Sequence, residues 1–129
     1  MIRLRAHHIL CLAQFVGKGY DERFTAYVSA LPRALRSERS IIITAAEPDE
    51  MCLHCPNMSG GRCLLGECDV AAKDAAALTV LELTAGSACT VDELNSKLGA
   101  LSLESYELVC GGCRWQNEGV CAYTRIRPI

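Results

Sequence analysis

The chain has 129 residues, half of them hydrophobic, with 13 basic and 15 acidic side chains and a formal net charge of -2. That size suits one domain with a modest core, and the mixed charge excludes both a disordered chain and a strongly basic grip on nucleic acid. The longest apolar stretch near the start, residues 9–16, is too short to span a bilayer and no small-residue cleavage pattern follows it, so no membrane association is expected and the expected location is cytoplasmic.

Residues 3–16 are mostly apolar with a helical recurrence at Leu4, His8, Cys11 and Phe15, and Gly17-Lys18-Gly19 supplies the stop of a buried first helix. Asp21 is a good N-cap for a second helix with the stripe Phe24, Tyr27, Val28, Leu31 and Leu35, which Pro32 should kink or divide. Arg33, Arg36 and Arg39 lie at three-residue spacing. Without an accompanying aromatic series they read as a solvated face rather than a phosphate-binding one.

Residues 40–44 are a β-branched run, the one short strand predicted, and Pro48-Asp49 reads as a turn into the first cysteine cluster. Asp69 can cap an alanine-rich helix to about Ala85, with Gly86 as its left-handed C-terminal residue. Thr90 with Glu93 makes a capping box for a helix through Leu98, and Ser102 caps a last helix over 103–109 that runs into the second cysteine cluster. The expectation is a mainly helical, small α+β fold, a single domain over residues 1–129 with one short strand and two irregular cysteine loops.

Nine cysteines in a chain without an export signal point to reduced thiols used as ligands. Cys52, Cys55 and Cys63 are spaced C-x2-C-x7-C, and Cys110, Cys113 and Cys121 repeat that spacing. Two cysteines two residues apart can turn both sulfurs to one point, and a third arriving after a glycine-bearing loop closes on the same ion or cluster. A lone cysteine is usually a small buried hydrophobe. Six in one repeated spacing are better explained by metal.

Three thiolates complete neither a tetrahedral zinc site nor the usual four-thiolate set of a cluster. Cys11, His7, His8, His54, Cys68 and Cys89 are the remaining candidates. His7 and His8 precede Cys11 by four and three residues, so on a helix either ring shares a face with that thiol. Cys11 serving one triplet and a histidine the other would tie both loops to the first helix. Cys68 could close the first site locally, but nothing equivalent follows Cys121; Cys89 has no ligand-type neighbour, and His54 points away from the sulfurs if its turn is regular. Cys52, Cys55, Cys110 and Cys113 could instead share one ion as paired knuckles do, which leaves Cys63 and Cys121 unexplained.

The opening Arg5-Ala-His-His-Ile-Leu-Cys11, the segment Cys52-x2-Cys55-Pro-Asn-x-x-Gly-Gly-x-Cys63, and Cys110-Gly-Gly-Cys-x-Trp115 closing at Cys121 resemble domain of unknown function 1284, a family of small bacterial and archaeal proteins. The resemblance implies iron–sulfur binding, with no reaction or substrate attached. Carried over by position, its residues are His7, His8, Cys11 and the two triplets.

The leading expectation is an iron–sulfur protein, of the 4Fe-4S kind, for electron transfer or redox sensing with an unidentified redox or protein partner, its sites covered by Trp115, Leu10 and Phe15. Its alternative is a zinc-stapled interaction module. An enzyme would need an open metal position or Cys11 as a nucleophile beside His7 or His8. No metalloprotease, phosphate-loop or radical-cluster motif is present, so no reaction is named and a non-catalytic role is favoured.

Overall fold

Residues 3–5, which the helical recurrence assigns to the first helix, form a strand instead, β1 (Arg3–Arg5), and α1 spans Ala6–Ala13. The reason lies forty residues away. The β-branched run forms β2 (Ile41–Thr44), and β1 lies parallel to it with Leu4 opposite Ile43, both fully buried. Three residues are too few to show a period of their own, so the partner strand decides their conformation. The structure, a computed structural model, describes residues 2–17, 21–38, 40–45, 48–56, 58–59, 62–63, 67–111, 119 and 122–129, with backbone alone for 58–59, 62–63 and 67–69.

Parallel neighbours need a crossover. Here it passes through α1 and α2 (Glu22–Ser37), whose first turn is capped by Asp21 accepting the Phe24 N–H at 2.7 Å. Phe24, Val28, Leu31 and Leu35 bury its apolar face, and the helix runs undivided through Pro32. Arg33 and Arg36 are exposed on its outer side, and Arg39 lies outside the described residues.

Asp49, which reads as part of a turn, is the N-cap of a one-turn helix, α3 (Glu50–Leu53). A two-stranded hairpin, β3 (Met58–Ser59) and β4 (Arg62–Cys63), follows, with Met58 opposite Cys63. Then comes α4 (Glu67–Val80), which starts before the expected cap Asp69 and packs against α1.

α4 also stops short of Ala85. Glu82 takes a left-handed φ of 53°, the Leu83 N–H donates to the Leu78 carbonyl at 2.9 Å and the Glu82 N–H to Thr79 at 3.3 Å. That pair of bonds is a Schellman ending, built here without glycine. Gly86, with φ of 83°, instead turns the chain so that its N–H reaches the Ile43 carbonyl at 2.7 Å. The next strand, β5 (Ala88–Cys89), pairs antiparallel with β2, giving the order β1-β2-β5.

α5 (Val91–Gly99) opens with the expected Thr90–Glu93 capping box, and α6 (Leu103–Cys110) with Ser102 accepting the Ser105 N–H. The fold is mainly helical with a small sheet, as expected, although the sheet has three strands rather than one. Arg127 closes the end of α1 by donating to the carbonyls of Ala13 and Phe15, a cation where the helix dipole favours one. No helix among the described residues is long and apolar enough to cross a membrane.

Candidate metal centre

α1 has no side-chain cap from its own N-cap residue, Arg5. Two buried carboxylates from elsewhere in the chain take that place. Asp74 of α4 accepts the His7 N–H at 3.2 Å and His7 Nδ1 at 2.6 Å on one oxygen, and the Arg5 guanidinium on the other, at 2.9 Å from Nε and 2.8 Å from Nη2. Asp49 accepts the Cys52 N–H at 2.9 Å on Oδ1, and on Oδ2 the Arg5 N–H and His8 Nδ1, both at 2.7 Å. Neither carboxylate reaches solvent.

An ionised carboxylate only accepts, so each ring donates from Nδ1 and a neutral ring keeps its lone pair on Nε2. Burial, reinforced by the neighbouring His8, pushes His7 down to about 4 against the pull of Asp74. His7 is therefore neutral at physiological pH. Burial alone would raise the Asp49 carboxyl; His8 and the N–H groups of Arg5 and Cys52 outweigh it and hold the group well below the usual carboxylate range.

The thiols approach the same helix. Cys52 is the third residue of α3, buried, with its sulfur 3.7 Å from Arg5 Nη1. Burial and the nearby Asp49 push its thiol up to about 11, so a metal that binds there displaces a proton. Cys55 follows in a tight turn, its N–H donating to the Cys52 carbonyl at 3.0 Å, and is half-buried. A ring nitrogen of His8, an oxygen of Asp49 and the Cys52 sulfur all lie within 4.8 Å of one another.

At the far end of α1, Gln14 donates from Nε2 to the sulfur of Cys110 at 3.6 Å. Cys110 is the last residue of α6, and Gly111 follows because a Cβ there would sit 2.4 Å from the Glu107 carbonyl oxygen. Cys52 and Cys110, the first cysteines of the two triplets, thus lean on opposite ends of one helix.

Residues 19–119, most of the chain, match the model of a known family. The chain belongs to the family described as protein of unknown function (DUF1284). The match takes in both C-x2-C pairs and Cys63, and leaves α1 with His7, His8 and Cys11, and also Cys121, outside it. No curated protein and no solved structure matches the chain.

In this DUF1284 protein His8 and Cys52 come together as a candidate metal site with Asp49. His7 lies beside His8, ring centroids 4.3 Å apart, and Cys11 is half-buried one turn further along α1. Cys63 is placed on β4; Cys113, Cys121 and Trp115 lie outside the described residues. His54, expected to point away from the sulfurs, stacks on Tyr27 at 3.7 Å and donates to the Glu50 carbonyl. Cys89 is buried in β5, and Cys68 lies on α4.

Sequence reasoning did not find Asp49, Asp74, Arg5 or Gln14. For Asp49 a signal exists. It stands three residues before Cys52, the spacing at which an N-cap carboxylate orients a cysteine. Asp74, among alanines on a helix, gives no comparable sign.

Proposed function

We propose that this DUF1284 protein holds metal at two thiolate centres, one begun by Cys52, Cys55 and Cys63 and the other by Cys110, Cys113 and Cys121. The metal is an iron–sulfur cluster, of the 4Fe-4S kind, serving electron transfer or redox sensing. The observation that carries this reading is the pair of N–H···S hydrogen bonds, Arg5 to Cys52 and Gln14 to Cys110, at the two ends of α1. Hydrogen bonds to the sulfurs are among the levers that set a cluster's potential. The two donors stand nine positions apart, roughly 13 Å along a helix, which speaks for two centres rather than four cysteines on one ion. α1 carries the remaining donors, His7, His8 and Cys11.

Structural zinc is the second reading, favoured by the two carboxylate–histidine pairs, an arrangement common around zinc. In that case metal supplies folding energy and the surface carries the interaction.

Protein purified without oxygen and analysed for iron, zinc and sulfide separates the two. Brown protein with about equal iron and sulfide supports the cluster; colourless protein with about two zinc ions per chain supports the stapled module. Cys63→Ser and Cys121→Ser should each cost metal and stability together. Full metal content in both variants overturns the two-triplet assignment.

A further inference from the structure

We propose that His8 is the fourth ligand of the first triplet, binding through Nε2, and that Asp49 is the positioning residue which makes it one. This rests on the metal-binding reading and assigns the ligand that would close Cys52, Cys55 and Cys63: three thiolates and one imidazole.

One carboxylate does two jobs. Asp49 caps α3 by accepting the N–H of Cys52 itself, which sets where the first thiol of the triplet stands, and it takes the proton of His8 Nδ1 at 2.7 Å. The thiol and the ring are thereby registered against one rigid group, with a His8 nitrogen, an Asp49 oxygen and the Cys52 sulfur all within 4.8 Å of one another. Asp49 itself is poorly suited to bind the ion. Its two oxygens already accept three donors in a fully buried position, and coordination through Oδ2 would strand the Arg5 N–H and the His8 ring. What remains for the ion is Nε2, because a ring that donates from Nδ1 carries its lone pair there. A carboxylate behind a ligating histidine fixes the tautomer and ring orientation, and its loss weakens metal binding by about 10–100-fold. His7 has its own carboxylate, Asp74, and is not part of the group of three.

The chain has three histidines, so side-chain nitrogen spectra of the full-length protein are simple to assign. The probe is cadmium-113 alone, added to metal-free protein labelled with nitrogen-15 in histidine. Before addition, His8 is expected as the tautomer protonated on Nδ1. After addition, Nε2 of His8 should shift and couple to cadmium, while His54 and His7 show no coupling at this centre. Asp49→Asn keeps a capping side chain but can offer His8 a donor in place of an acceptor; it should turn the ring to the other tautomer and weaken cadmium binding by about 10–100-fold in chelator competition. Cadmium bound by cysteines with no coupling to His8, or coupled to His7 instead, overturns this assignment and leaves the metal-binding reading standing. No cadmium bound at all overturns both. The spectrum of the unaltered protein decides the matter even if Asp49→Asn does not fold.

Discussion

Gln14 and Cys110 meet in the protein interior at 3.6 Å, amide nitrogen to sulfur, while the hydroxyl of Tyr106 holds the other end of the same amide at 2.9 Å. All three residues are buried. With its oxygen fixed by Tyr106, the amide can present only its N–H groups to the sulfur. Gln14→Leu should keep the fold and remove the donor to Cys110, the first cysteine of the second proposed centre. That centre should then give up its metal first in a chelator titration, where in the unaltered protein the order is set with the hydrogen bond in place. An unchanged order of release would show that Gln14 only packs.

Asp74 neutralises the Arg5 guanidinium in a place neither can leave, with side-chain exposures of 0% and 5%. Removing one partner of such a pair strands the other charge. Asp74→Asn is expected to destabilise the protein by about 3–5 kcal/mol, read as a lower urea midpoint at unchanged slope. A loss under about 1 kcal/mol, the range of exposed pairs, would mean that water reaches Arg5.

His7 gives the metal-free protein a pH dependence whose sign follows from burial. Its folded value, about 4, lies below the ordinary 6.5. Between those values the unfolded chain binds a proton that the folded protein refuses, so stability is full above about pH 6.5 and falls as the pH drops toward 4, by up to about 1.4 kcal/mol per pH unit. Asp49, held below the carboxylate range, extends the loss into stronger acid. Urea unfolding across this interval should show the slope, and His7→Asn should flatten it. A flat profile in the unaltered protein would mean that His7 is charged in the fold.

Glu82 ends α4 in the left-handed region at φ 53°, where a side chain costs roughly 1 kcal/mol. Glu82→Gly should therefore stabilise the protein by about 0.5–1 kcal/mol, visible as a raised melting temperature. A drop instead would mean that the ending of α4 does not hold in solution.

Much of the fold is legible locally because its signals are local. Asp21, Thr90 with Glu93, and Ser102 cap their helices as read, since an N-cap acts within three residues. The first strand and the end of α4 are not legible, because Leu4 answers to Ile43 and the Schellman turn closes on a glutamate rather than the glycine four residues on.

The candidate site divides in the same way. The sequence by itself determined that cysteines in a repeated spacing, with two histidines and a thiol on one short stretch, were available to a metal, because ligand spacing is a property of the chain. Only the tertiary structure decided that Asp49 and Asp74 hold the two rings from behind and that Arg5 and Gln14 face the sulfurs. Those contacts join residues 41 to 96 positions apart. A carboxylate's effect on an imidazole, or an amide's on a sulfur, depends on a few ångströms of separation that packing alone sets.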